Sequence, residues 1–342
     1  MNTGSKFALA ATGIAAGLMV RQKLQRSHER LIGGSVVLIT GGSRGLGLAI
    51  AHRFAREGCH IAICARDEGE LLRARESLEQ IGAAPMTIAC DVTNRSEVEQ
   101  MIAAVVERFG RIDILVNNAG VIKVGPVESM TLEDFNEAMD ELFWGVVNPT
   151  MIALPAFLEQ NRGHIVNITS IGAKISVPHL VPYCAAKHAA AGFSEGLREE
   201  LAYSGVKVTT IAPGLIRTGS FMAALFKGDP EAESRWFSLG ASLPGLSMSA
   251  DRAARQIVAA VKRGDSERVL SLPAQLLAKV NGLAPETTQH VMSWAAHRFL
   301  PRHSDDTHAT PGWRLPGLKS MKMRPFLLLG RMAARRFNQR TA

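Results

Sequence analysis

The chain has 342 residues, 46% of them apolar, 20% charged and 6% aromatic. That is enough to bury one sizeable α/β core, and it excludes a disordered, collagen-like or multi-span membrane protein. Residues 1–30 hold five basic residues and one acidic, and residues 301–342 hold nine and two, so the ends carry +4 and +7 while the 270 residues between them sum to −3. A basic core surface for nucleic acid is thereby excluded; the charge points to solvated tails or a membrane surface.

The first element is the run 7–20, 14 uncharged residues with Lys6 before it and Arg21, Lys23, Arg26 and Arg30 after it. It is short of the roughly 20 residues of a bilayer span. Its charge lies on the wrong side for a cleaved signal peptide, and no A-x-A-like site precedes Arg21. A membrane anchor or interfacial helix and a core-docked helix both remain open; the positive-inside rule puts the following domain on the cytoplasmic side.

From residue 35, short β-branched runs alternate with amphipathic stretches. Strands are predicted over 36–40, 60–65, 86–90, 112–117, 164–169, 206–212 and 268–272, and helices over 46–57, 68–81, 96–109, 132–156 and 182–202. Continuous apolar strands joined by crossover helices imply a Rossmann-like doubly wound parallel sheet of about seven strands, with helices on both faces and ligands at the carboxyl ends of the strands. An apolar insert at 219–250 breaks the alternation, and helical stretches over 274–280 and 286–299 precede a basic tail. The expected division is an extension, 1–30, a nucleotide-binding catalytic domain, 31–275, and a helical, basic extension, 276–342. Cys59, Cys64, Cys90 and Cys184 lack CxxC or Cys/His spacing. They read as small buried hydrophobes, with no disulfide scaffold and no metal.

The first strand runs directly into Gly41, Gly42, Ser43, Arg44, Gly45, Leu46 and Gly47 and then into a helix. Glycines in a strand-to-helix turn let backbone N–H groups approach a pyrophosphate at the helix N-terminus. The second strand ends at Ala65-Arg66, where an NAD site would carry an acidic side chain for the ribose 2′-hydroxyl. Arg66 and Arg44 offer guanidinium groups to a 2′-phosphate instead, so NADP(H) is expected over NAD(H). Asp67 opposes this, because a one-residue shift would bring it to the ribose.

Thr40-Gly41-x-x-x-Gly45-x-Gly47, Asn117-Asn118-Ala119-Gly120, Ser170, Tyr183-x-x-x-Lys187 and Pro213-Gly214, in that order and spacing, resemble the short-chain dehydrogenases/reductases over about residues 33–275. The resemblance implies Ser170, Tyr183 and Lys187 as catalytic residues. It implies a cofactor site of Thr40, Gly41, Ser43, Arg44, Gly45, Leu46, Gly47, Arg66, Asp91, Val92, Asn118, Ala119, Gly120, Tyr183, Lys187, Pro213, Gly214, Ile216 and Thr218. Asp91 would bond the adenine, Thr218 the carboxamide, Lys187 the nicotinamide ribose, and Asn117 would support the central strand; a homo-oligomer is also expected.

The chemistry follows from the residue types. Tyr183 and Lys187 stand at i and i+4 on a helix opened by Pro182, so phenol and ammonium share a face. A nearby cation favours the phenolate, which suits Tyr183 to act as acid in ketone reduction and as base in alcohol oxidation. Ser170, at a strand end, can donate to the carbonyl oxygen as charge develops. One position departs from the family pattern. Counted from Gly145 and Pro155, the helix asparagine that holds a water beside the lysine is Leu142 here; Asn148, six residues on, would face elsewhere.

The expected activity is NADP(H)-dependent interconversion of a secondary alcohol and a ketone. The alternative is a catalytically weak NADP(H)-binding or scaffold protein at membranes. Phe221, Met222, Leu225, Phe226, Trp236, Phe237 and Leu239 in the insert suggest a hydrophobic substrate, or else a lid packed on the core or a subunit contact. Phe326, Leu327, Leu328 and Leu329, flanked by Lys319, Lys322, Arg324, Arg331, Arg335 and Arg336, suit an anionic lipid surface, or else a helix packed on the domain.

Overall fold

Seven short apolar segments pair as parallel strands: β1 (Val36–Thr40), β2 (His60–Ala65), β3 (Met86–Ala89), β4 (Ile114–Asn117), β5 (Gly163–Ile168), β6 (Val206–Pro213) and β7 (Glu267–Leu270). Their spatial order is β3-β2-β1-β4-β5-β6-β7, the doubly wound order expected, with expected and observed strand ends differing by at most two residues. The computed structural model describes residues 30–302, 304–319 and 324–339. The apolar run 7–20 and Lys322 lie outside the described residues.

Helices cover both faces because the central strands are apolar on both sides. On one face, Val37 and Ile39 of β1 pack with Leu48 and Phe54 of α1 (Gly45–Arg56), with Leu71 of α2 (Glu68–Glu79), and with Ile257 and Val261 of a later helix over Ala250–Arg263. On the other, Val36 and Leu38 meet Met101 and Val105 of α3 (Arg95–Phe109) and Phe157 of the long helical stretch that follows β4. Alternate residues of one strand thus serve opposite cores. The start of α2 is capped by Asp67, whose Oδ1 accepts from the Glu70 backbone N–H at 2.8 Å.

That long stretch is not one regular helix. It comprises α4 (Leu132–Met139), a π turn over Asp140–Trp144, and α5 (Gly145–Glu159) with Pro149 and Pro155 inside it. Pro149 has no N–H for the Gly145 carbonyl, and the wider turn lies just before that break. Leu132–Glu159 is long and apolar enough to cross a membrane by composition. Its packing with α3, β4 and α6 (Val181–Glu200) marks it instead as a core helix.

The insert forms its own apolar cluster with the C-terminal segment. Phe221, Phe226 and Phe237 pack with Leu315, Leu318 and Leu327, which links α7 (Pro230–Ser242) to the last helix. The remaining longer helices among the described residues are α8 (Ala250–Arg263), α9 (Leu272–Leu283), α10 (Pro285–Phe299) and α11 (Arg324–Arg336), with one short helical turn at Pro316–Lys319 before the last. Three aromatic rings of the insert are therefore buried in a core shared with the tail, the lid reading of that segment. Leu327, taken from sequence as part of a lipid-facing group, is fully buried, while Leu328 and Leu329 are exposed.

Candidate active site

The carboxyl ends of the strands open onto a cleft of about 900 Å³. It is lined by Asp91 and Val92 after the edge strand β3, by Gly41, Ser43, Arg44, Gly45 and Leu46 after β1, by Asn118, Ala119 and Gly120 after β4, and by Ser170, Tyr183 and Lys187 at and beyond the end of β5. Arg66, Pro213, Gly214, Ile216 and Thr218 line it too. The fold thus gathers most of the expected site residues around one cavity. Thr40 and Gly47 stand behind the loop: Thr40 Oγ1 accepts from Asn118 N at 2.9 Å and Ala119 N at 3.2 Å, and a Cβ on Gly47 would fall 2.1 Å from the Gly41 carbonyl oxygen.

Gly41 and Gly45 have φ of +62° and +58°, which glycine adopts without strain, and both line the cleft. Asn118 Nδ2 donates to the carbonyls of Thr40 and Gly41, both at 3.1 Å, and so ties the β4 loop to the glycine loop. The glycine turn, the guanidinium groups and a cleft of this volume together fit a dinucleotide.

The arginines do not stand free. Arg44 pairs with the buried Glu70 at 2.8 Å, and Ser43 donates to the other carboxylate oxygen at 3.0 Å. Arg66 pairs with Glu141 at 3.1 Å and lies 3.8 Å from Asp91. Burial raises the Glu141 carboxyl above its ordinary value against the pull of Arg66. A 2′-phosphate would have to replace these carboxylates. Asp67 caps α2, so its carboxylate is engaged at the helix start. Asp91 Oδ1 accepts from Thr93 N and Oγ1 at 3.0 and 2.9 Å, and Thr218 Oγ1 accepts from Ser220 N at 3.2 Å, so both side chains also hold their own loops.

At the catalytic end, Pro182 sits in the first turn of α6 and turns Tyr183 and Lys187 into the cleft. Lys187 is buried, its Nζ donating to the Ile168 carbonyl at 2.9 Å. Burial pushes its ammonium down to about 8. Burial also pushes the Tyr183 phenol up to about 12, opposed by a hydrogen bond with Ser170. The sequence expectation of a phenol lowered by its lysine is not met in the chain by itself, because desolvation outweighs the favourable contacts. Ser170 Oγ also accepts from Gly172 N at 3.0 Å, which fixes its rotamer.

Leu142 lies in the π turn, 2% exposed, and a Cβ on Gly120 would fall 2.4 Å from its Cδ2. The position reached by counting is therefore at the site, and it is apolar. Asn148 donates to the carbonyls of Val92 and Thr93 at 3.2 and 3.5 Å, away from Lys187. Beyond Leu142 much of the lining is apolar, with Ile122, Val177, Leu180, Leu225, Trp236, Leu277, Met292 and Trp313, although Lys123, Glu137 and Ser220 line it too. Glu233, wholly buried, accepts from Trp236 Nε1 at 2.6 Å and lies 2.8 Å from His179 Nδ1, which fixes the indole at the cleft wall. Sequence reasoning missed Glu70, Glu233, Trp313 and Gln339. A carboxylate four residues after Arg66 was a usable signal for Glu70; nothing local pointed to the others.

Residues 35–226, more than half of the chain, match the family model described as short chain dehydrogenase. The chain is 36% identical over 222 residues, 64% of its length and 70% of the relative's, to the dehydrogenase/reductase SDR family protein 7-like of Anopheles gambiae. Among solved structures it is similar to a short chain dehydrogenase/reductase from Burkholderia phymatum in complex with NAD, with a TM-score of 0.70 and 25% identity, covering 75% of this chain and 96% of that one. It is also similar to a variant of actinorhodin polyketide ketoreductase with NADPH, with a TM-score of 0.62 and 30% identity, covering 70% and 95%. The chain belongs to the short-chain dehydrogenases/reductases. It is an oxidoreductase of that family.

Proposed function

We propose that the protein interconverts a hydrophobic secondary alcohol and its ketone with NADP(H), at the cytoplasmic face of a membrane. The observation that carries the reaction is the convergence of Ser170, Tyr183 and Lys187 on a cleft that the glycine turn also lines. A bound nicotinamide dinucleotide supplies or accepts the hydride. Tyr183 Oη gives its proton to the ketone oxygen in reduction and takes it back in oxidation. Ser170 Oγ donates a hydrogen bond to the same oxygen as negative charge builds, at a point where Ser170 and Lys187 are both buried. The buried Lys187 ammonium makes the phenol a better acid at the moment of transfer.

The apolar lining from Ile122 to Trp313 supports a hydrophobic substrate. For the phosphate, the support is the pair Arg44 and Arg66 beside the loop, Asp67 engaged as a helix cap, and a Glu70 charge met by Arg44 and Ser43. NADPH should bind at least about tenfold more tightly than NADH, a difference of about 1.4 kcal/mol. Fluorescence titration of both nucleotides is the test, and equal affinities would refute the preference. Leu142 favours a second reading, a nucleotide-binding protein of weak activity; turnover with a panel of hydrophobic ketones separates the two. For the membrane, the support is the outer side of α11, where Leu328, Leu329 and Met332 are exposed alongside Arg335.

A further inference from the structure

The chain returns at its end to the glycine turn. The Phe337 carbonyl accepts from Gly45 N at 2.8 Å, at the N-terminus of α1. Asn338 Nδ2 donates to the Ser43 carbonyl at 2.9 Å and the Glu70 carbonyl at 2.8 Å, and its Oδ1 accepts from Arg73 Nε at 2.8 Å. Behind this anchor, the side chain of Phe337 joins the core packed against α1 and α8. Arg336 pairs with Asp251 of α8 at 2.8 Å. Residues 337–339 are thus held against the loop by bonds to two other helices.

Gln339 is the residue that this strap presents to the cleft. It is 8% exposed, lines the cavity with Ser43, Gly45, Leu46 and Thr218, and its buried Oε1 has no hydrogen-bond partner among the described residues. A Cβ on Gly45 would stand 2.9 Å from Gln339 Nε2 and 3.8 Å from the Thr218 Cβ, so the amide lies between the glycine turn and the loop after β6. A buried acceptor left without a donor is costly, and such groups mark places where a ligand completes the bonding. An amide offers both polarities: Nε2 donates to an anionic oxygen, and Oε1 accepts from a hydroxyl or amide N–H.

We propose that Gln339 is a nucleotide-binding residue and that residues 337–339 form a strap retaining the dinucleotide at its pyrophosphate. The inference rests on the reading of the cleft as a nicotinamide dinucleotide site. Nε2 bonds a phosphate oxygen, and Oε1 takes a donor from the adjoining ribose or carboxamide. Because Phe337 and Asn338 hold the loop from outside, the strap must loosen for exchange, so it sets the dissociation rate more than the association rate.

The test uses the full chain and NADPH, with affinity from fluorescence titration, dissociation from stopped-flow displacement, and thermal midpoints without nucleotide. Gln339→Ala should raise the dissociation rate about tenfold, the effect of one lost hydrogen bond to a charged group. Gln339→Glu, which sets a carboxylate against the pyrophosphate, should raise it further. In both variants the nucleotide-free midpoint should stay within a degree or so of wild type, since no bond within the chain is lost. Asn338→Ala, which touches no nucleotide, should speed dissociation by loosening the strap. Rates within twofold of wild type in both Gln339 variants would overturn the proposal. So would a loss of affinity matched by an equal loss of nucleotide-free stability, which would assign Gln339 to packing. A wild-type chain that binds neither NADPH nor NADH would instead refute the reading of the cleft, and this inference with it.

Discussion

At the residue scale, burial acts on Tyr183 and Lys187 in opposite directions. The phenol is held protonated, and the ammonium is brought down to about 8, within reach of ordinary assay conditions. In reduction the charge on Lys187 helps the phenol give up its proton, so kcat/KM for ketone reduction should fall as pH rises through about 8. Lys187→Arg keeps a charge at all accessible pH and should move that alkaline limb upward even if the rate is lower. An identical limb in both enzymes would show that another group controls it. The same shift acts on stability. The folded value lies below the ordinary 10.5, so the cost of burying the charge is fully present below about 8 and is relieved as pH rises from there to 10.5. That Ser170, Tyr183 and Lys187 share one cleft was legible because their spacing along one strand end and one helix turn is a local property. The places of Glu233 and Gln339 in its wall were not, because they come from contacts between segments far apart in the chain; Asn338 and Ser43 are 295 residues apart.

At the element scale, the π turn between α4 and α5 sets which side chain enters the cleft at position 142. It brings Leu142 against Gly120, at the position where the family resemblance implies an asparagine and a water beside the lysine. Leu142→Asn should raise kcat several-fold if proton resupply limits turnover. It should also lower stability by about 1 to 3 kcal/mol for any part of the amide left unpaired. An unchanged kcat in a variant that folds would remove the relay from the account. The sequence period placed a helix over 132–156 but could not show this turn, since apolar spacing changes little when one turn widens. The central strands were legible to within two residues, as continuous β-branched runs between turn signals. Helix α7 was not, because its apolar residues serve both the cleft and a cluster with the tail, and so do not fall on one stripe.

At the scale of the whole molecule, the basic tail is part of the domain. Leu315, Leu318 and Leu327 are core residues, and removing 315–342 would open the insert and the glycine turn together. Membrane binding is better tested by Leu328→Ser with Leu329→Ser on the outer side of α11, and by deletion of residues 1–29. Flotation with anionic vesicles should fall with either change, and the part owed to the basic residues should fall with salt. A wild-type chain that stays with the soluble fraction at low salt would refute the association. Hydride transfer from this cleft to a ketone, with Tyr183 as the acid, is best tested by following an isotope. With NADPH carrying deuterium at the transferable position and a hydrophobic ketone, wild type should yield an alcohol with deuterium on the carbinol carbon. Tyr183→Phe, still binding NADPH, should yield less than about a tenth as much. Alcohol without the label, or equal yields from both proteins, would contradict the account.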